Sequence, residues 1–394
     1  MGGLSKRMIL VPAVLALVFA AAPAISVAAS DEHLDRDTIF VSPSGSSTKS
    51  GESCASAKYS SIGAAVTAAP RAGTVHVCAG TYAEMVTVTK ELQLVGYKAT
   101  VNASGQNNGF LIQGRAASET LVRGFTVENA IGEGILAMQT SEVKIQHNTV
   151  MNNDQGTTAT NNYRECTAQG QNPGDCGEGV HLMTVSDSSV WGNDVEYNAG
   201  GILLTDELGP NHENTIADNV VSNNSPDCGI TVPSHSLVAV SPAGKRQPKL
   251  GGVYDNLIKD NVIENNGAGG VLFGGIGPGS GAYDNTVTGN RISGNGLPGV
   301  AIHDHTTGED FNGNDINNNK IGTNGIIPGG EGEFGDLGTT GILVGSVADT
   351  VHVRIRDNQI ANDHTGIFTL NVPANPSFAS DNTFSGVTVP VAQN

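Results

Sequence analysis

The sequence predicts an all-β, single-domain parallel solenoid with one capping helix at its N-terminal end. Three observations predict it. Glycine and asparagine are in excess, 52 and 36 of 394 residues, and glycine alone is nearly double the ~7% of an average protein. A phrase built on Asn and a phrase built on Gly alternate along the chain. Apolar runs are short and of period two, with a helical period in only one good amphipathic stretch. Each helix-interior Gly costs about 1 kcal/mol relative to Ala, which disfavours a helical bundle.

The Asn phrase reads Asn, any residue, Val or Ile, then a polar residue five after the Asn. It begins at Asn148, Asn193, Asn219, Asn261, Asn290 and Asn319. At Asn358 it closes on Asp363, and at Asn382 it decays, as suits a terminal repeat. The Gly phrase is Gly followed by two or three apolar residues, at Gly134, Gly179, Gly201, Gly229, Gly270, Gly299, Gly341 and Gly366. Successive glycines lie 45, 22, 28, 41, 29, 42 and 25 residues apart, so 22 is one coil and the excess is inserted loop. The first and third residues after each Gly form an aliphatic column, from Ile135/Ala137 and Val180/Leu182 to Ile342/Val344. Strand side chains alternate, so this column faces inward. The second position, as at His181 and Thr231, is then open to polar residues. Asn at the corners is expected in the left-handed turn conformation, bonded to the Asn of neighbouring coils as in other stacked ladders. No coil buries its own core, so stability rests on stacking.

In chain order, residues 1–29 read as a secretory signal peptide. Lys6 and Arg7 precede an apolar stretch from Met8 to Val27, and small residues follow at Ala28, Ala29 and Ser30. An uncleaved membrane anchor is the alternative reading. No later segment approaches the ~18 apolar residues of a spanning helix, so the body is expected to be secreted and off the membrane. Residues 30–72 are a leader with the strand TIFVS and the amphipathic segment YSSIGAAVTAA, a helix placed to cap an otherwise unpaired edge. Residues 73–130 are irregular first coils, and residues 131–390 are regular ones. Export permits disulfides. Cys54 and Cys78 form one expected pair and Cys166 and Cys176 another, leaving Cys228 as a buried free thiol. No CxxC spacing supports a zinc site.

The formal charge is −18, or −20 once Lys6 and Arg7 leave with the signal. That excludes a nucleic-acid binder working through a basic face. It also repels a polyanion, except at a local basic loop or through bridging calcium. Lys245, Arg246 and Lys249 supply the one basic cluster.

The stretch SSIGAAVTAAPRAGTVHVCAGTYAEMVTVTKELQLVGY resembles the opening of pectin methylesterases and related enzymes, where a helix is followed by GxYxExVxV and LxLxG strands. Together with the repeats, residues 38–390 resemble the pectin-lyase-like right-handed parallel β-helix superfamily, in particular bacterial proteins with PbH1-type repeats. The resemblance implies a right-handed parallel β-helix of ten to twelve coils. It does not imply one chemistry, because such an architecture hosts many. The QDT and DFxFG segments of pectin methylesterases, the NTD and GHG segments of polygalacturonases, the WxDH of calcium pectate lyases and the DPH of mannuronan epimerases are absent. Periplasmic copper-accessory proteins share the repeat, but no Met/His ligand string stands here.

In enzymes that this chain resembles, the cleft runs along an outer sheet face between inserted loops. Insertions follow Leu204, Val232, Phe273 and Ile302, walling one edge of four consecutive coils. The fifth residues after Gly are Asp206, Ser234, Gly275 and Asp304, and the sixth are Glu207, His235, Ile276 and His305. Adjacent coils lie about 4.8 Å apart, so Glu207 and His235 are expected to touch. The catalytic candidates are Asp206, Glu207, His235, His303, Asp304 and His305, facing one another across a floor at Gly274 and Gly275. Strict alternation turns the fifth position inward, so Asp206 and Asp304 qualify only if a turn rotates them out. His181, Lys245, Arg246 and Lys249 are the substrate-binding candidates. A lyase would use a histidine base and a cation to neutralise the sugar carboxylate. An inverting hydrolase needs carboxylates ~6.5–9.5 Å apart, closer than the roughly 14 Å expected between Asp206 and Asp304. The expected function is therefore a secreted carbohydrate-active enzyme, lyase or hydrolase, on a poly- or oligosaccharide. The alternatives are a non-catalytic extracellular glycan-binding or surface protein, and a cyclase or isomerase of a small-molecule pathway. No cofactor is required by this chemistry. Calcium held by Asp and Glu oxygens is the candidate cation, with a transition metal on His as the alternative, and the acidic segment GEGEFGD at Gly330 is either a surface calcium site or, the favoured reading, a solvated loop. No metal ligand set and no oligomeric state are specified.

Overall fold

The computed structural model describes residues 38–154, 176–225, 227–330, 332–335 and 337–394. The expected signal peptide lies outside them. Each coil is a sequence of short strands, and each strand pairs with its counterpart one coil later. Thus Ile230–Ser234, Val253–Tyr254, Leu257–Lys259 and Val262–Glu264 are followed by Val271–Gly275, Ala282–Tyr283, Thr286–Thr288 and Arg291–Ser293. All four pairings are parallel and in register, with Ile230 opposite Val271 and Val262 opposite Arg291. The strands gather into a 20-stranded and a 14-stranded sheet. In the smaller sheet the strand carrying the Gly phrase recurs once per coil, ending at Val389–Gln393.

The inward column forms as its alternation requires. Ile135, Val180, Ile202, Ile230, Val271, Val300, Ile342 and Ile367 are fully buried in one continuous core. A helix, Ile62–Ala68, closes one end and buries Ile62, Ala65 and Val66. Ser61 Oγ accepts from Ala64 N at 3.1 Å, and the Glu84 carboxylate accepts from Ile62 N and Gly63 N at 2.7 and 2.8 Å. The helix therefore has its first amides satisfied from two sides. At the other end the turn Ser377–Ser380 buries Phe378.

The corners carry asparagine ladders. Asn148, Asn193, Asn219, Asn261, Asn290, Asn319, Asn358 and Asn382 form one, and Asn153, Asn198, Asn224, Asn266, Asn295, Asn324 and Asp363 form another. Asn261 shows the rule. Its amide N and Nδ2 both donate to Asn290 Oδ1, and Nδ2 also donates to Ile216 O at 2.9 Å. Its own Oδ1 accepts the same pair of donors from Asn219. A third ladder, Asn214, Asn256, Asn285 and Asn314, obeys the same Asn-x-Ile/Val phrase. The three ladders sit five residues apart, so one coil turns its corners at Asn256, Asn261 and Asn266.

One expectation is corrected. The left-handed residue is the one before most ladder Asn residues, as at His147, Asn152, Tyr197, Asp218, Asp260 and Asp357, with φ between 53° and 59°. The ladder Asn must project its side chain into the stack, and its predecessor makes the turn. The second position after Gly is polar at His181 and Thr231, and elsewhere it holds Leu136, Leu203, Leu343 and Phe368, which are buried on the outward face. Over Ala301, Leu343 and Phe368 the cover is Phe334, whose ring lies where a Cβ of Gly345 would stand.

Asp363 interrupts its ladder. Its Oδ1 accepts Asn324 N at 2.9 Å, while Oδ2 is buried without a partner, in the place where other rungs carry a donating NH2. Burial pushes the carboxyl up to about 7 from 3.8. A raised carboxyl pKa contributes stability fully present below the unfolded value and lost as pH rises through the folded one. Asp363→Asn is therefore expected to stabilise the chain increasingly between about pH 4 and about pH 8, by up to roughly 4 kcal/mol at the alkaline end. Melting curves of variant and parent over that range check it, and a difference independent of pH would refute it.

Candidate functional site

On the outward face of the smaller sheet, Pro233 is in register with Gly274, and His303 with Gly345. A Cβ on Gly274 would meet no atom within 4 Å. The face is thus open between the coil of His235 and the coil of His303 and His305. The latter two rings meet edge to face at 5.5 Å, and His303 also touches Phe334.

Glu207 and His235 meet as the coil spacing requires, Oε1 to Nδ1 at 2.9 Å, with side chains only 8% and 6% exposed. Burial pushes Glu207 up, but the His235 hydrogen bond, the charges of His181 and His235 and the Thr205 hydroxyl outweigh it and hold the carboxyl below its ordinary value. Glu207 is then an anion behind His235, with its second oxygen buried and without a hydrogen-bond partner. The pair continues into a buried polar string. Thr205, two residues before Glu207, lies 2.8 Å from His181 Nε2, and His181 Nδ1 lies 3.4 Å from Glu133 Oε1. Glu133 Oε2 accepts Glu178 N at 2.9 Å. His181, a substrate-binding candidate by sequence, is fully buried inside this string. Glu133 and Thr205 carried no signal in the sequence beyond lying one coil on either side of His181.

The fifth-position acids face inward, as alternation dictates. Asp206 is fully buried. Its carboxylate accepts from Ser234 Oγ, His235 N, Ser236 N and Gly252 N at 2.9, 2.6, 3.0 and 2.5 Å. It ties both ends of the 233–252 insertion to the sheet. Asp304 accepts from Ser346 Oγ at 2.7 Å and is 1% exposed. Burial first, then the adjoining Glu309 and Asp349, push it up to about 7. The Gly275 floor is occupied: a Cβ there would stand 2.5 Å from Glu309 Oε1. Glu309 also accepts from His305 N and Thr306 N at 2.8 and 3.1 Å, fixing the loop that carries His305.

The basic cluster divides. Arg246 is committed within the protein, donating to Asp310 Oδ2 at 2.7 Å, Asp284 Oδ2 at 2.5 Å and Asn312 O at 3.0 Å, with its guanidinium 4.0 Å from the Tyr283 ring centre. It pins the long insertion over the two loops that follow. Lys245 and Lys249 are exposed.

Cys54 and Cys78 are disulfide-bonded, and Cys228 is a buried free thiol. Cys176 is disulfide-bonded too; Cys166 lies outside the described residues, as do Glu331 and Asp336 of the acidic segment. Among the described residues the one place where three metal-capable side chains converge is Cys54, His76 and Cys78. Its two sulfurs are bonded to each other, so these residues do not fit a copper or zinc ion. No helix among the described residues is long and apolar enough to cross a membrane.

The contrast between neighbours is testable. Asp206→Ala strands four buried donors and is expected to cost roughly 3 kcal/mol. Glu207→Gln keeps an acceptor for His235 and is expected to cost less than about 1 kcal/mol. Denaturant unfolding of both checks it, and equal losses would contradict the separate roles.

The family of periplasmic copper-binding proteins (NosD) matches residues 74–238, less than half of the chain. No curated protein sequence matches it. Among solved structures, a GH136 lacto-N-biosidase from Eubacterium ramulus is 12% identical with a TM-score of 0.51, over 91% of this chain and 67% of that one. A DFA-IIIase from Arthrobacter chlorophenolicus A6, solved with DFA-III, is 12% identical with a TM-score of 0.51, over 90% and 86%. The A-module of a mannuronan C-5 epimerase from Azotobacter vinelandii is 15% identical with a TM-score of 0.48, over 84% and 94%. The first two likenesses carry the fold and not an activity. With in-register parallel coils, aliphatic columns and asparagine corners, the chain has a parallel β-helix fold.

Proposed function

We propose that the chain is an exported carbohydrate-active enzyme, a lyase that cleaves an acidic polysaccharide by elimination with His235 as the base. The observation that carries this is the Glu207–His235 pair, 2.9 Å apart at the rim of the open face beside Gly274. With the Nδ1 proton directed at an ionised carboxylate, Nε2 is the basic nitrogen, and the nearby anion stabilises the imidazolium that forms. His235 takes the proton next to the sugar carboxylate. That electron pair forms the ring double bond, and the glycosidic oxygen leaves from the adjacent carbon with a proton from solvent. His303 and His305, two coils or about 10 Å away, face the other side of a sugar ring held over Gly274 and donate to its carboxylate. A hydrolase is less well supported. Its two working carboxyls must both reach the substrate, whereas Asp206 and Asp304 are buried among protein donors. The signal-like N-terminus and the Cys54–Cys78 disulfide support export.

On a panel of uronate polysaccharides the protein is expected to release products with the ultraviolet absorbance of an unsaturated uronate end. His235→Ala and Glu207→Gln are expected to lower kcat by ~10²-fold or more with unchanged melting temperature. New reducing ends without that absorbance would mean hydrolysis. Retention of glycan without cleavage would mean a binding protein.

A further inference from the structure

A second groove, of about 460 Å³, opens beyond the loop that carries Glu207. Leu208, Gly209 and Pro210 form one wall, held by Thr184, whose hydroxyl accepts Leu208 N and donates to Gly209 O, both at 3.1 Å. His212 forms its end. The His212 ring stacks on Tyr254 at 5.0 Å and 3°, Tyr254 stacks on Tyr283 at 5.2 Å and 1°, and Arg246 covers Tyr283. Three coils thus place three parallel rings in one column. On the opposite side of His212 the same column continues with Ser186 and then Ser141, in register. Where rings would continue the stack, small hydroxyl side chains leave a slot one or two coils long.

The slot is flanked by cations. Arg115 and Lys249 line it, both are exposed, and neither makes an ion pair among the described residues. The backbone beside each is held by the protein. Tyr254 Oη donates to Pro248 O at 2.9 Å, next to Lys249. Arg115 opens the short turn Arg115–Ala117, after which Ser118 Oγ accepts Ser141 N at 3.1 Å. In a chain of charge −18, two cations with no ion pair among the described residues, over a hydroxyl floor beside a ring face, are a selective arrangement for one chemistry. A pyranose stacks its apolar face on an aromatic ring, its hydroxyls bond to serines, and an acidic substituent meets the cations.

We propose that this groove is a saccharide subsite that takes an anionic sugar ring against His212, with its charged group facing Arg115 and Lys249. It deepens the reading of the chain as an enzyme of acidic glycans and rests on it. The groove would hold a residue of the polymer beyond the one reacting at His235, since both sites share the 206–210 loop. The test uses the mature chain carrying Glu207→Gln, so that binding is read without turnover. The probes are an oligogalacturonate, a sulfated carrageenan oligosaccharide and neutral cellohexaose, titrated by calorimetry. Binding of either anionic probe, falling with salt and weakened about fivefold or more by Arg115→Ala, by Lys249→Ala and by His212→Ala, supports the subsite. Which of the two anionic probes binds tells carboxylate from sulfate. Equal affinity for cellohexaose, no binding of either anionic probe, or unchanged affinity in all three variants overturns it. Turnover of the unmutated chain is read separately. Cleavage with no effect of the groove variants removes the subsite alone, and groove-dependent binding with no cleavage removes the elimination alone.

Discussion

One hydrogen-bonding pattern underlies the rest of the molecule: an asparagine whose side chain serves two neighbouring coils at once. A coil of roughly 22 residues cannot enclose a core, and its corners would leave backbone groups stranded. The ladder solves both problems at one atom pair. Asn261 Oδ1 accepts from the coil before while its Nδ2 donates to the coil after and to Ile216 O. Corner geometry is thereby repeated to within a fraction of an ångström, and the aliphatic columns fall into line because their starting points do. Everything outside the corners is then at liberty to vary, which is where the insertions and the candidate chemistry lie.

What the sequence made legible follows that logic. The Gly phrase located the inward columns because alternation in a strand is obligatory. The same counting placed Glu207 and His235 at equivalent positions one coil apart, and they meet. The third asparagine ladder was readable, since Asn214, Asn256, Asn285 and Asn314 obey the same phrase five residues before rungs of the first ladder. Glu309 was not readable. It reaches from a later loop into space left by Gly275, and a linear alignment carries no information about which side chain returns to fill a glycine. Arg246 read as an available cation because sequence shows its charge and not the aspartates one and two coils away that take it.

The candidate site gains its character from burial. An isolated Glu–His pair on a surface would be loosely held and well solvated. Here Glu207 and His235 are walled by the loops, and the string through Thr205 and His181 to Glu133 fixes their background charge. Such a string is costly unless each member is bonded, and here it lies beneath the face with an open floor. Asp206, one residue from Glu207 and pointing the opposite way, holds the insertion that completes the wall.

The ladders also make the length of this protein a matter of whole units. Nearly every rung meets another asparagine one coil away, and Asn219, Asn261, Asn290 and Asn319 present the same donors and acceptors to their neighbours. A gene that gains or loses one complete coil would rejoin rung to rung with all three corners intact, whereas a shift of a few residues would set asparagine against aliphatic side chains along the entire seam. The fold can therefore lengthen or shorten by recombination between similar repeats, and the groove can be moved along the axis without rebuilding the core beneath it.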